Sequence, residues 1–174
     1  MEVDMTQART ASADIREVLD RFVDAFNVND LDRVMTFFSE TAVYRPGDGS
    51  EHCGPAAIRR AFEPQFSGAY GAMRFDEHDR LIDDGARKAA IRWVCRHDLA
   101  GAKPASVGQW LQRLVAGLVV GERFGWEGLD VFHFDDAGRI VGKFTYANYS
   151  RPRLRKELGV ALPNAEAPTT GRRA

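Results

Sequence analysis

The sequence predicts an α+β fold in which a curved, mostly antiparallel sheet wraps around N-terminal helices. Three observations carry this reading. Apolar residues at three-and-four spacing open the chain, and long segments of period-two alternation follow. The clearest of these, Trp126–Tyr149, reads as two strands joined by a tight turn. Helices first and long strands afterwards is the α+β order, and a sheet curved around a helix buries both apolar faces.

Ile15, Val18, Leu19, Phe22, Val23 and Phe26 fall on one face of a first helix. Asp14 with Glu17 three residues later has the form of a capping box at its start. Asn27–Asp30 breaks it, and Leu31, Val34, Met35 and Phe38 form a second, shorter stripe. A short strand is expected over Ala42–Arg45, stopped by the turn cluster Pro46-Gly47-Asp48-Gly49. Gly54-Pro55 opens a third helix that Pro64 should end or bend. Two strands follow at Met73–Ile82 and Ala89–Leu99; the first is so charged that it reads as an edge. Trp110, Leu111, Leu114, Val115 and Leu118 then recur at helical spacing, which predicts an inserted helix over about 106–119. The two strands of the opening segment complete the series, and Arg151–Leu158 reads as a basic tail able to form a short helix.

A chain of 174 residues that is 44% hydrophobic fits one domain with a sizeable core. The divisions are a flexible N-terminus over 1–11, one α+β domain over 12–150, and a basic, partly disordered tail over 151–174. With 24 Lys+Arg against 25 Asp+Glu, charge gives no case for nucleic-acid or membrane binding. Cys53 and Cys95 are too few for a disulfide framework. No apolar run reaches transmembrane length and no secretory signal is evident, so a cytoplasmic location is expected.

Strand alternation puts Asp130 on one face with Trp126, Phe132 and Phe134. A carboxylate among aromatic rings must be hydrogen-bonded, paired or neutral. The same periodicity groups Ile91, Trp93, Cys95 and His97, and pairing of these two strands predicts a His97–Asp130 acid/base dyad. Asp130 and His97 are therefore the candidate catalytic residues. Tyr44, Trp93, Trp110, Trp126, Phe132 and Tyr146 are the candidate ligand contacts. Cys95 reads as a small buried hydrophobe. His52, Cys53, His78, His97 and His133 show no metal-ligand spacing, so neither a metal nor a cofactor is expected.

Several segments together resemble the SnoaL-like branch of the nuclear transport factor 2-like, or ketosteroid isomerase-like, superfamily. They are the helix ending Phe22-Val-Asp-Ala-Phe-Asn27, then Asp30-Leu-Asp-Arg-Val-Met-Thr-Phe-Phe38, Ala42-Val-Tyr-Arg-Pro46, Gly54-Pro-Ala-Ala-Ile58, and Gly128–Phe134 leading into Gly138-Arg-Ile-Val141. The resemblance, over about 12–150, implies a cone-shaped barrel with a deep pocket and a homodimer. It also implies a choice of chemistries. The isomerase-type base position holds Arg45, which cannot accept a proton; nearby Asp48 serves only if its loop turns inward. The SnoaL-type acid/base pair maps to Asp130 and Thr145, so half of it is a carboxylate. Arg96, Asp98, Asp130, Tyr146 and Asn148 are ingredients of an epoxide-hydrolase site without its order. The resulting expectation is a cofactor-independent acid/base enzyme (cyclase, isomerase, dehydratase or epoxide hydrolase) acting on an apolar carbonyl or hydroxyl substrate. The alternative is a non-catalytic apolar-ligand-binding or dimeric interaction domain.

Overall fold

A computed structural model of the chain describes residues 13–100, 106–147, 149 and 153–154. Helix α1 (Ile15–Asn27) begins where the Asp14 carboxylate accepts the Arg16 N–H at 2.8 Å. It ends in a Schellman pattern: Asp30 N–H reaches back to Ala25 and Asn29 N–H to Phe26, with Asn29 left-handed at φ 58°. Asp30 then caps α2 (Leu31–Met35). Phe38, expected on the second helical stripe, is instead the first residue of β1 (Phe38–Arg45). Both roles bury it, so apolar spacing alone could not separate them.

A two-residue strand, β2 (His52–Cys53), returns against Val43 and Tyr44; it is too short to carry a period. Helix α3 (Pro55–Phe66) runs on through Pro64, where a stop or bend was expected. The helix end beyond the proline is held by packing, because Phe66, two residues on, sits 4.9 Å from the Phe26 ring. The long strands β3 (Ala72–Asp83) and β4 (Lys88–Asp98) form a hairpin, with helix α4 (Val107–Val120) inserted before β5 (Arg123–Phe134). Strand β6 (Ile140–Ala147) and the short β7 (Arg153–Leu154) complete the chain. The tail helix expected over Arg151–Leu158 is overruled at 153–154, where the backbone pairs with β5; its other residues, and the divisions at 1–11 and 155–174, lie outside the described residues.

The sheet order is β2-β1-β6-β5-β4-β3, with β7 alongside β5 at Phe124 and Gly125. Among the described residues, only the β1–β6 pairing is parallel. Charged β3 lies at an edge of this order, as expected from its composition. The concave face receives α1. Phe22 meets the rings of Phe26, Phe37, Phe38 and Phe132 at centroid distances of 5.2–6.1 Å, mostly edge to face. Gly138, at φ 79°, closes the β5–β6 turn directly under α1; a Cβ there would come within 2.6 Å of Ala13 Cβ.

Asn27 fastens the end of α1 to the sheet. Its amide donates to Phe75 O at 3.0 Å and its carbonyl accepts Phe75 N–H at 2.8 Å, so the side chain pairs with β3 as another strand would. Asn27→Ala leaves both backbone groups without these partners, and urea denaturation is expected to show a loss of about 1–2 kcal/mol.

Candidate active site

Three adjacent strands place four polar side chains at the floor of a cavity rich in aromatic rings. The parallel β1–β6 register sets Tyr44 beside Lys143, and the antiparallel β5–β6 register sets Asp130 opposite Thr145. Side chains in register share a face, so all four project inward. The cavity holds about 420 Å³, within the range of small-molecule sites. Its walls include Phe22, Phe26, Phe62, Phe75, Trp93 and Trp126.

The floor is a closed hydrogen-bonded ring. Lys143 Nζ donates to Asp130 Oδ2 at 2.7 Å and to Thr145 Oγ1 at 3.0 Å. Thr145 in turn donates its hydroxyl proton to Asp130 Oδ1 at 2.6 Å. Lys143 Nζ also lies 5.0 Å from the centre of the Tyr44 ring and 5.5 Å from that of Phe132, where ring faces favour a cation. Burial, then the charge of Asp130, holds the Tyr44 phenol well above its usual pKa, with Thr145 hydrogen bonding working the other way. Tyr44 is thus a protonated donor at neutral pH. The ring presents a carboxylate with spare lone pairs, an ammonium and a phenol O–H within one apolar enclosure.

His97 also lines this cavity, but the expected dyad does not form. In the β4–β5 register Asp130 faces Ile91 and His97 faces Phe124. Six residues of strand, up to roughly 20 Å, separate the two levels. Parity placed them on one face correctly; it carries no information about level along the strand. His97 is stacked on Phe124 at 5.2 Å, meets Trp126 edge-on, and its Nε2 lies 3.5 Å from Cys95 Sγ. Nδ1 has no hydrogen bond of good geometry, and the Tyr70 backbone offsets only part of the desolvation. Burial lowers the imidazole pKa to about 4 and pushes the Cys95 thiol up to about 12. The two are therefore a neutral pair at pH 7, which removes a thiolate nucleophile from consideration.

Of the expected ligand contacts, Tyr44, Trp93 and Trp126 line the cavity. Trp93 is buried with its indole N–H unpartnered among the described residues, and its ring lies over Gly128, where a Cβ would come within 2.6 Å. Phe132 is sealed in the core against Phe22 rather than open to the cavity. Tyr146 belongs to the outer face of β6, 65% exposed, because it is one residue out of phase with Thr145. Trp110 is 54% exposed on α4, away from the cavity lining. Arg45 points outward to Glu51. Asp48 reaches the cavity rim, but its carboxylate is exposed and bound to Ser50, whose hydroxyl lowers its pKa first. Arg96 is paired with Asp76 and Asp98 with Arg123, and Asn148 lies outside the described residues.

Lys143 is the residue that reading the sequence missed. A signal existed: period two puts Lys143 on the face of Thr145, to which the resemblance mapped half of the acid/base pair. Lysine is ordinarily a solvated residue, and that expectation concealed it.

The buried imidazole makes stability pH-dependent. Between its native pKa of about 4 and the unfolded value near 6.5, the unfolded chain binds the extra proton. Stability contributed by the neutral ring is therefore complete above about pH 6.5 and falls toward pH 4, by about 3 kcal/mol in all. Thermal melts across this interval should show the loss in the native chain and a shallower one in His97→Phe, which preserves the stack. Iodoacetamide should label exposed Cys53 in the folded protein and buried Cys95 only after unfolding.

Comparison with known proteins bears on the fold. The family model described as SnoaL-like domain matches residues 19–143. No curated protein sequence matches. Among solved structures, the chain is similar to SalBIII, an epoxide hydrolase/cyclase-like enzyme of pyran ring formation in the polyether salinomycin. The TM-score is 0.62 at 14% identity, over 80% of this chain and 95% of that one. It is similar to AclR of Streptomyces galilaeus, a proposed hydroxylase, at TM-score 0.57 and 17% identity, over 79% and 80% of the chains. An NTF2-like protein of unknown function from Mesorhizobium loti gives 0.54 at 20% identity, over 77% and 90%. The match across most of the domain means that the chain belongs to the SnoaL-like domain family, and its fold is similar to that of the NTF2-like protein.

Proposed function

We propose that this protein is a cofactor-independent acid/base enzyme acting on an apolar small molecule that carries a carbonyl, hydroxyl or epoxide oxygen. One observation carries the reading: an ammonium–carboxylate pair, closed by Thr145, lies on the floor of an aromatic cavity. Such a pair is a poor source of stability, since desolvating two charges rivals their attraction. Its chemical use is clear. Asp130 accepts a proton from substrate or from an attacking water, on a lone pair left by Thr145 and Lys143. Tyr44 and Lys143 donate hydrogen bonds to the substrate oxygen as negative charge develops there. The aromatic walls exclude water and strengthen both interactions. The dehydration, isomerisation and epoxide-opening chemistries all need this pairing of base and donor.

A second reading, a binding protein for an apolar ligand, has its own support. Both Asp130 oxygens already accept a hydrogen bond, and most of the surface lining the cavity is apolar.

Two probe reactions distinguish them: deuterium uptake alpha to the carbonyl of an apolar cyclic ketone in heavy water, and hydration of an apolar epoxide. The native chain should catalyse at least one. Asp130→Asn, isosteric and still hydrogen-bonding, should lower turnover by ~10²–10⁴, and Tyr44→Phe by roughly 10², with ligand affinity little changed. Undiminished turnover in Asp130→Asn would sink the assignment. Binding of these probes without reaction would favour the second reading.

A further inference from the structure

The cation on the cavity floor is a lysine, and that choice carries chemistry. Lys143 is 4% exposed and its partner Asp130 1%. Arginine suits a fixed pair in such a place better, since it stays protonated and grips a carboxylate as a fork. Arginine does serve the partly buried pair Arg80–Glu77 and the surface pairs Arg45–Glu51 and Arg123–Asp98. The floor instead holds a primary amine, which becomes a nucleophile on losing one proton. Asp130 Oδ2, 2.7 Å from Nζ, is placed to take that proton. Transfer leaves an amine and a carboxylic acid, and an apolar enclosure penalises such a neutral pair less than two charges. Lys143 lines the cavity together with Phe26, Trp93 and Trp126, so its amine lies where an apolar molecule would be held.

We propose that Lys143 captures an apolar aldehyde or ketone covalently, as an iminium held beside Asp130. The inference rests on the reading of the cavity as a site for a carbonyl compound, and goes beyond it by making the lysine a bond-forming group. Nζ passes one proton to Asp130 and attacks the carbonyl carbon. The C–N bond forms as the C=O π bond breaks, and the oxygen takes the proton from Asp130. Asp130 then removes a second proton from nitrogen and delivers it to the new hydroxyl. That hydroxyl leaves as water while the nitrogen lone pair closes the C=N bond. Two ammonium protons thus end in the water and the third stays on nitrogen. The iminium charge replaces the ammonium charge and remains paired with Asp130, so the floor is as neutral afterwards as before. Tyr44 supplies a hydrogen bond to the oxygen as charge develops on it. Thr145, 2.6 Å from Asp130 Oδ1, steadies the carboxylate while Oδ2 shuttles the protons.

The test is reductive trapping of the full chain with naphthaldehyde and sodium cyanoborohydride, which turns an iminium into a stable secondary amine, read by peptide mass mapping over time. Lys143 should acquire the naphthylmethyl group about tenfold faster than exposed Lys88, or more. In Asp130→Asn the labelling of Lys143 should slow by roughly tenfold or more. In Lys143→Arg, which retains a cation beside Asp130, that position should stay unlabelled while Lys88 still reacts. A native chain in which Lys143 reacts no faster than Lys88 overturns the proposal, and this comparison needs no variant to fold. Unslowed labelling in Asp130→Asn overturns the proton shuttle. Ketone exchange or epoxide hydration that depends on Asp130, with Lys143 unlabelled, would retain the acid/base reading and remove the covalent step alone. Fast labelling in a chain that catalyses neither probe reaction would sustain the capture and remove the acid/base reading.

Discussion

The polar floor of the cavity is organised by the pairing of β6 with its two neighbours. β6 is the strand whose parallel partner is β1 and whose antiparallel partner is β5. That register brings Tyr44, Lys143, Thr145 and Asp130 to one patch from sequence positions about a hundred residues apart. A slip of one residue would turn Lys143 and Thr145 to solvent and Phe144 and Tyr146 inward. The buried charge pair resists such a slip, because both Lys143 and Thr145 would turn away from Asp130 together. Breaking a buried pair costs about 3–5 kcal/mol, whereas replacing both members by apolar groups is often neutral. The pair therefore specifies register strongly and adds little to net stability.

The fold was legible because its periods are unmixed. The α1 stripe from Ile15 to Phe26 has one reading, and the alternation through Ala89–Leu99 and Trp126–Phe134 has another. Punctuation agreed with both: Asp14, Pro55 and Gly138 all sit where capping and turn chemistry place them. The failures share a cause as well. Phe38 and Pro64 were decided by packing against rings distant in sequence. β2 exists only because β1 offers it an edge.

The candidate site was legible as a face and illegible as a place. Period two put Asp130, Trp93 and His97 inside correctly, yet said nothing of their separation along the strands. His97 consequently occupies a distinct, neutral end of the cavity beside Cys95, Phe124 and Trp126. Tyr146 failed by a single position and Trp110 by lying exposed on a helix whose described residues do not line the enclosure. Lys143 shows the opposite error, since residue type overrode a parity argument that was already available.

The absence of a side chain at Gly128 has a consequence for ligand choice. The Trp93 indole occupies the space that a Cβ would take, and its ring forms part of the cavity wall. One methyl group at this position would press on that ring at 2.6 Å and on the Tyr146 carbonyl oxygen of β6 at 2.9 Å. The shape of the enclosure beside Trp93 thus depends on a residue that bears no chemistry.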